Sequence, residues 1–385
     1  MGAEADMGDN FSAGIRVATG ENNSPTSTNQ SMGLANQGQG GNFSKYAIWL
    51  DRAFLKYELV GSPNKDLTVL AGRFDNPFFS PTELIWDDDL GFDGAAVKAK
   101  YEVYHGVTPF IVAGAFPVFN TDLNFSSNQP AKFKSEDKYL YGGQVGINWN
   151  INHDLSAKAS AAYYYFDNIA GKLSDPFVPL TASDQGSTDD SRPSFAQRGN
   201  TYRPIRNIIP SALNGMGTTN QFQYFGLATQ FHEFAVAGQI EYNHFEPFQL
   251  SLFGDFVKNL AFDQSAINAI AVNNRGPFGK SKTGAFDGGD TGWIVGLRVG
   301  TAALANRWDW NAFVNYRYLE SDAVVDGMND SDFGGGGTNL KGYTIGGSLA
   351  LSPRVWLGVR WLSATAIAGP TFKNDIIQFD INGKF

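Results

Sequence analysis

The sequence of 385 residues contains no cysteine and has few charged side chains, which make up 17% of the chain. The lack of cysteine excludes a disulfide scaffold, iron–sulfur ligation and a cysteine-ligated zinc site. It also suits an oxidising compartment such as the periplasm or the cell surface. No run of about 18 apolar residues occurs, which excludes a transmembrane helix. The start, Met1 to Glu4, lacks the charged and apolar stretches of a signal peptide, so we expect a chain that is either not exported or already processed.

Charge and hydropathy exclude two further classes of protein. The net charge is −9, whereas nucleic-acid binding calls for a basic surface, so we expect no nucleic-acid partner. Aromatic residues make up 14% of the chain, which together with the low charge excludes a disordered protein. The mean hydropathy of −0.24 leaves a membrane β-barrel open, because lipid-facing and lumen-facing residues alternate in such a barrel and average out.

Apolar and polar residues alternate over segments of about 10 residues, the length of a tilted strand that crosses a bilayer. In segment 308–318 one set of alternate residues is Trp308, Trp310, Ala312, Val314, Tyr316 and Tyr318, and the other is Asp309, Asn311, Phe313, Asn315 and Arg317. Segments 141–151 and 234–243 divide in the same way. Since successive side chains on a strand point to opposite faces, these segments predict membrane-spanning strands with one apolar face.

Short turns alternate with long polar loops along the whole chain, which is the plan of a transmembrane barrel with its long loops at one end. We place the long external loops at about 19–45, 75–91, 120–137, 167–232, 260–291, 320–339 and 368–375. The sequence therefore predicts an all-β fold, a single transmembrane antiparallel β-barrel domain over residues 1–385.

The strand count has a consequence for closure of the barrel. About fifteen strands can be counted, and the first and last both run toward the short-turn end. They would be parallel if they met, whereas bacterial barrels are antiparallel with an even number of strands. We therefore expect one further strand before Met1 and a barrel of about sixteen strands. The alternative is an additional strand hidden between Phe222 and Glu233.

Three segments carry a resemblance to Gram-negative outer-membrane general diffusion porins, most closely the putative porin family. They are Gly2–Asp6 with the following Phe11–Gly20, the stretch Leu70–Pro77, and the alternating terminal strand that ends in Phe385. A C-terminal phenylalanine in this position looks like the signal read by the outer-membrane assembly machinery. The resemblance implies a homotrimer in the outer membrane of a Gram-negative bacterium, in contact with lipid and lipopolysaccharide.

The polar set of alternate residues defines the expected pore wall. Charges on the lipid face near the midplane would cost about 2–4 kcal/mol each, so the charged set is assigned to the lumen. A barrel of about sixteen strands leaves a water-filled channel. The basic residues assigned to its wall are Arg16, Arg52, Lys56, Lys98, Lys100, Lys158, Arg298, Arg317, Arg360 and Lys384.

The loop at 75–91 is the candidate constriction, because with one strand restored it becomes the third external loop. The resemblance to general porins implies that this loop folds inward and narrows the pore. It carries the acidic residues Glu83, Asp87, Asp88 and Asp89. Opposed to the basic wall, they would create a transverse field that orients water and slows apolar solutes. The alternative is a solvated loop tip, against which the prolines and the apolar residues of the loop argue.

Two further groups of residues are candidate binding sites. Loop 167–232 carries Arg192, Arg198, Arg203 and Arg206, which either attract anions at the mouth or pair with neighbouring acids. Asp326, Asp330 and Asp332, with Asn329, form a candidate surface Ca²⁺ site, although their spacing departs from the EF-hand. No metal-binding histidine spacing and no Ser–His arrangement is fixed by the sequence, so we expect no cofactor and no enzyme activity.

The sequence therefore predicts a channel for passive diffusion of small hydrophilic solutes and ions. The alternative is a surface barrel plugged by its loops, with a structural or anchoring role for an outer layer or a partner protein. A steady open current would distinguish the first from the second. The acidic net charge favours cations and the basic wall favours anions, so the sequence leaves the selectivity open.

Overall fold

The computed structural model describes residues 1–20, 24–27, 29–33, 41–120, 134–181, 184–219, 222–276 and 284–384. Strands dominate it, and fifteen of them form one sheet in which neighbours along the chain pair antiparallel. The strands are β1 (Gly2–Gly8), β2 (Phe11–Ala18), β3 (Trp49–Ser62), β4 (Lys65–Asp75), β5 (Gly91–Tyr101), β6 (Val107–Phe119), β7 (Lys138–Asn150), β8 (Leu155–Asp167), β9 (Tyr202–Pro204), β10 (Phe225–Leu227), β11 (His232–Phe245), β12 (Phe248–Asn259), β13 (Thr291–Thr301), β14 (Trp310–Leu319), β15 (Leu340–Ser352), β16 (Val355–Ala366) and β17 (Lys373–Gly383).

Two short strands lie outside the main sheet. β9 and β10 pair only with each other, within the long connection between β8 and β11. The alternative of a further barrel strand between Phe222 and Glu233 is therefore wrong, since three residues of this stretch form β10 instead. The one α-helix of the described residues is α1 (Gln264–Ile270), whose first turn is capped by the Asp263 carboxylate. Among these residues, no helix has the length and apolar composition to cross a membrane.

The connections alternate in length as predicted. Pairs such as β1–β2, β3–β4 and β15–β16 are joined by turns of a few residues, whereas β2–β3, β8–β11 and β14–β15 are joined by long loops. Because the strands are antiparallel, all the long loops lie at one end of the sheet, which we call the loop end. The predicted all-β barrel with short turns at one end and long loops at the other is confirmed.

The outer face of the sheet is apolar and exposed. Val314 on β14 and Val359 on β16 expose 44% and 45% of their surface, although both lie in the middle of long strands. Their neighbours of opposite parity turn inward, and Arg317 is almost fully buried. An exposed band of valine, isoleucine, tryptophan and tyrosine is the surface that hydrocarbon covers. The predicted division of alternate residues between two solvents is therefore confirmed at these strands.

Two paired glycines mark a bend of the sheet between β4 and β5. Gly72 and Gly94 face each other across these strands and have φ angles of +117° and +149°. A Cβ at Gly72 would lie 2.4 Å from the carbonyl oxygen of Ala53, and one at Gly94 would lie 2.3 Å from that of Ala115. Only glycine allows this close approach among the four strands β3 to β6, which curves the sheet around its interior.

A matched pair of substitutions tests the two faces. Val314→Arg should lower the free energy of unfolding by about 2–4 kcal/mol, because it places a guanidinium in hydrocarbon near the bilayer midplane. Asn315→Arg, one residue further and facing inward, should cost less than about 1 kcal/mol, because the lumen contains water. Urea unfolding in lipid vesicles measures both values. Equal costs for the two variants would contradict the assignment of faces.

Candidate pore constriction

Residues 76–90, here called the constriction loop, cross the interior of the curved sheet. The side chain of Gln144 on β7 accepts a hydrogen bond from the amide of Phe79 at 2.7 Å and donates one to its carbonyl at 2.9 Å. The Thr82 hydroxyl donates to the carboxylate of Asp255 on β12. Between β7 and β12 the sheet order places β8 and β11, so the loop extends over the inner face of four strands.

Aromatic rings fix the loop against the wall. The rings of Phe78 and Trp86 each meet Tyr164 of β8 edge to face, with centroids 5.0 Å apart. Gly142 on β7 makes room for Phe78, because a Cβ there would lie 2.4 Å from the ring. Phe78 and Trp86 are 5% and 2% exposed. Their contacts are those of a packed segment, which is why the apolar residues of this loop are not solvated.

The four acidic residues of the loop have different surroundings. Asp88 is exposed, whereas Asp87 is 4% exposed. The Asp87 carboxylate accepts hydrogen bonds from the amides of Asp89 at 2.9 Å and Ser331 at 3.1 Å. Glu83 accepts one from the amide of Asp88 at 3.2 Å. Only part of the predicted acidic cluster therefore presents its charge to the lumen, and Asp87 instead binds the backbone of another loop.

Burial of these carboxyl groups favours their protonated forms. It raises the pKa of Asp87 to about 7, with the nearby charges of Asp330 and Asp89 acting in the same direction. Burial also raises the pKa of Glu83 well above its usual range, and the negative charges of Asp330, Asp88 and Asp87 raise it further. The Asp88 carboxyl is exposed but surrounded by the loops, and this partial desolvation together with the charges of Asp89 and Asp330 raises its pKa. The loop therefore takes up protons more readily than free carboxyl groups do.

A pH dependence follows for the constriction loop. Between the usual pKa of aspartate, about 4, and about 7, the packed loop binds more protons than the detached loop, so its stability increases as the pH falls. We expect backbone amides of residues 84–90 to exchange more slowly at pH about 5 than at about 8, after correction for the intrinsic rate. Asp87→Asn should weaken this difference, and amides of β8 serve as the internal reference. Greater protection at the higher pH would contradict the assignment.

Two of the predicted wall arginines, Arg52 and Arg16, form ion pairs with other residues of the protein. The Arg52 side chain is 2% exposed and pairs with the carboxylates of Asp51 at 2.6 Å and Asp75 at 2.7 Å. It also donates to the carbonyl oxygens of Asp89 at 3.2 Å and Leu90 at 2.8 Å, at the end of the constriction loop. Arg16 pairs with the same two aspartates. The expected opposition of these arginines to the loop carboxylates is not found, because carboxylates beside them on the wall neutralise them.

The remaining predicted wall residues fall into two groups. Lys56 pairs with Glu58 at 2.6 Å, Arg317 with Asp330 at 2.7 Å, and Arg360 with Asp332 at 3.0 Å. Within the described part of the chain, no carboxylate lies within ion-pair distance of the other five, Lys98, Lys100, Lys158, Arg298 and Lys384. Those five cations therefore retain an unneutralised charge.

A second loop enters the interior, although its polar composition predicts an external loop. Most of residues 320–339, here called the second inward loop, are buried, with Ala323 and Val324 at 0% and 1% exposure. The amide of Asp87 donates to the carbonyl of Met328 at 2.9 Å, and the amide of Asp330 donates to that of Glu83 at 3.3 Å. The signal that could have found it is the apolar run from Ala323 to Val325 in a loop otherwise rich in aspartate and glycine.

The connection between β8 and β11 holds the second inward loop in place. The Asn200 amide group donates to the carbonyls of Ser321 at 2.6 Å and Val324 at 2.8 Å, and its oxygen accepts from the amide of Asp326 at 2.7 Å. The neighbouring Thr201 hydroxyl donates to the Asp322 carboxylate at 2.5 Å. Three loops therefore meet inside the loop end of the sheet.

The candidate calcium ligands do not come together. Asp326 accepts a hydrogen bond from the Tyr202 hydroxyl at 3.2 Å, and burial raises its pKa to about 6. Asp330 and Asp332 pair with separate arginines, as described above. Across the residues that the structure covers, no three histidine, aspartate or glutamate side chains are placed to hold a metal. The structure therefore does not bring the candidate Ca²⁺ ligands together, because these carboxylates have partners within the protein.

All four arginines of the long loop have protein partners, and that of Arg203 is the carbonyl of Pro204 at 3.4 Å. Arg206 pairs with Asp189 at 2.5 Å, while Arg192 and Arg198 lie over the rings of Tyr224 and Phe372. The pairing alternative therefore holds for Arg206. The predicted assembly signal, Phe385, lies outside the described residues.

The chain is similar to one protein family and to several solved structures. A family model described as "Putative porin" matches residues 1–385. No curated protein matches the chain. Solved structures with a similar fold include OprB of Pseudomonas putida in its high-pH form, at 14% identity and a TM-score of 0.49, covering 100% of this chain and 86% of that one. The outer membrane channel DcaP of Acinetobacter baumannii has 12% identity and a TM-score of 0.41, covering 99% and 83%.

Proposed function

The chain belongs to the family described as "Putative porin", and from that premise we propose that its constriction loop sets the size and charge of the path through the barrel. The protein is an outer-membrane porin of a Gram-negative bacterium and allows passive diffusion of small hydrophilic solutes. The observation that supports the proposal is that one loop is hydrogen-bonded both to Gln144 on β7 and to Asp255 on β12.

In this mechanism the protein carries out no chemical step and needs no cofactor. A solute enters at the loop end, loses part of its hydration where the loops narrow the lumen, and moves along the charged wall of the remaining barrel. Asp88 and the unneutralised Lys98, Lys100 and Lys158 supply the charges that act on it near the constriction loop. Local charge at a constriction biases permeation more than net charge does, because field lines are concentrated in a narrow aqueous path.

A second candidate function has its own support. The constriction loop, the second inward loop and the connection through Asn200 are joined by hydrogen bonds and a shared apolar cluster. Interlocked loops of this kind would suit a plugged barrel that anchors an outer layer or a partner protein. Charged and polar side chains of the lumen on the short-turn side of the loops favour the channel. A purely structural barrel gains nothing from unneutralised lysines there.

Single-channel recording distinguishes the two candidates. The folded protein, inserted into a planar bilayer in potassium chloride, should give a steady open current, and a salt gradient should reveal the sign of its selectivity. The heat-modifiable gel mobility shows whether the protein is folded. Folded protein that inserts but gives no open current would overturn the channel and support the plugged barrel.

We further propose that the apolar outer face contacts lipid and lipopolysaccharide, that the assembly machinery inserts the barrel, and that three copies associate. Cross-linking in intact outer membranes should give a trimer band. A protein that remains monomeric at all cross-linker concentrations would contradict this association.

A further inference from the structure

A basic cavity lies between the constriction loop and the barrel wall, and we call it the lysine pocket. Its volume is about 350 Å³, and its charged lining consists of Lys98 and Lys100 from β5, Lys158 from β8 and Asp66 from β4. Asn148 of β7 adds a side-chain amide to the lining. The pocket therefore combines three ammonium groups with a single carboxylate.

The strand register explains why these lysines meet. Lys98 and Lys100 are two residues apart, so they share the inner face of β5. Lys100 pairs with Phe110 of β6, Phe110 pairs with Gly146 of β7, and the next inward position of β7, Asn148, pairs with Lys158. A Cβ at Gly146 would lie 2.3 Å from the Phe110 ring, so glycine leaves space for that ring to lie across the wall toward Lys158.

The lysines of the pocket are not neutralised by the protein. Within the described residues, no carboxylate comes within ion-pair distance of Lys98, Lys100 or Lys158. Asp66 accepts a hydrogen bond from the Thr68 hydroxyl at 2.6 Å. The Lys158 ammonium lies 4.1 Å from the centroid of the Phe79 ring.

The positive charges of the pocket are close enough to repel one another. The three ammonium groups line one cavity in which Asp66 is the single carboxylate, so their mutual repulsion is only partly offset. Gathering like charges in a partly enclosed space costs free energy, which a bound anion would offset. This contrasts with Arg16 and Arg52, whose charges the wall itself neutralises.

We propose that the lysine pocket binds the phosphate group of a small solute during its passage through the barrel, an inference that rests on the proposed channel function. Three lysines and one aspartate give the pocket a net charge of about +2, and a phosphate ester carries about −1.5 to −2 at neutral pH. Lysine binds phosphate as a compact point charge with three rotatable donors. The Asn148 amide offers a further donor, and the Phe79 and Phe110 rings cover the apolar side of the pocket.

The pocket is placed to act on the solute path. It adjoins Phe79 and Ser80 of the constriction loop, so an anion bound there would lie beside the narrow part of the lumen. A site of this kind raises the local concentration of its ligand and speeds passage at low concentration, but it obstructs smaller ions while it is occupied. Binding therefore has an electrical readout that is separate from conduction itself.

The test measures block of the chloride current by phosphate. A single barrel is recorded in potassium chloride at neutral pH while inorganic phosphate is added at constant ionic strength, and a parallel series uses glycerol 3-phosphate. We expect saturable block in the wild-type channel. In Lys98→Gln/Lys158→Gln the half-blocking concentration should rise at least about tenfold, as expected for the loss of two charged contacts. Stronger block by the ester identifies a phosphorylated solute as the ligand, and stronger block by inorganic phosphate identifies the free ion.

The matched control is Arg298→Gln, which removes one positive charge from β13, outside the pocket. It should change the half-blocking concentration by less than about twofold if binding is local rather than due to the overall lumen charge. No block in a conducting channel, or equal weakening by both variants, would overturn the site and leave the channel function intact.

If the folded barrel conducts no current, the proposed function fails. Equilibrium dialysis of radioactive phosphate against the same variants then decides the site, and equal binding by wild type and the double variant would refute it. Lys100→Gln alone gives a second measure should the double variant fail to fold.

Discussion

Trp86→Ala is expected to raise the conductance of a single barrel by at least about twofold, because it releases the constriction loop from the wall. Trp86 is 2% exposed, and its ring meets Phe92 and Tyr164 edge to face with centroids 5.3 and 5.0 Å apart. Truncating a buried tryptophan costs about 3–5 kcal/mol, more than a loop of this length gains from its few hydrogen bonds to the wall. The strands keep their pairing, so the loss should be confined to the loop.

Two measurements check this expectation. Single-channel recording gives the conductance, and gel mobility before and after heating shows that the barrel is folded. Trp308→Ala is the matched control, since Trp308 is 58% exposed near the short-turn end and should leave the conductance unchanged. A folded Trp86→Ala channel with wild-type conductance would show that the constriction loop does not limit the current.

The strands could be predicted from the sequence because their pattern has a purely local cause. On β14, alternate residues must suit hydrocarbon and water in turn, so the order of Val314, Asn315 and Tyr316 already reveals the two faces. The main sheet contains the fifteen strands counted from this pattern, and the long loops lie where the polar stretches are. Turn residues and alternation need no information about distant parts of the chain.

The contacts inside the barrel could not be predicted in the same way. Gln144 holds Phe79 across 65 residues of sequence, and nothing local distinguishes Gln144 from any other polar residue on an inner face. The charge pattern gave an incorrect pairing for a related reason. Arg52 was expected to face the loop carboxylates, but Asp51 and Asp75 lie closer once the strands are paired. Partner choice among charges depends on distances that exist only in the folded sheet.

The second inward loop was missed because composition describes solvent exposure only on average. A stretch rich in aspartate, asparagine and glycine usually lies in water, yet Asp322 and Asp326 are 0% and 1% exposed. Buried polar groups are tolerated where hydrogen bonds satisfy them. Backbone amides and the side chains of the long connection between β8 and β11 supply those bonds, so burial of this loop depends on a segment more than 100 residues away.

Asn200→Ala is expected to detach the second inward loop. The Asn200 side chain is fully buried, and its removal leaves the Val324 carbonyl and the Asp326 amide without a partner, while the Ser321 carbonyl keeps the Thr338 hydroxyl at 2.7 Å. Each buried group left unpaired costs about 1–3 kcal/mol, so the local stability should fall by at least about 2 kcal/mol. Hydrogen exchange of residues 321–326 should accelerate at least about 20-fold, since 1.4 kcal/mol corresponds to a factor of ten.

Asn207→Ala provides the control in the same connection, because the hydrogen bonds recorded for Asn207 come from its backbone. It should leave exchange in the second inward loop unchanged, and strand amides of β14 should be protected in both variants.

The two inward loops are joined through Asp87, so faster exchange should reach residues 84–90 in Asn200→Ala as well. Acceleration confined to residues 321–326 would mean that the constriction loop stands alone, held by Gln144 and Asp255. Conductance would then respond to Trp86→Ala but not to Asn200→Ala, whereas a joint response means that both loops narrow the lumen as one unit.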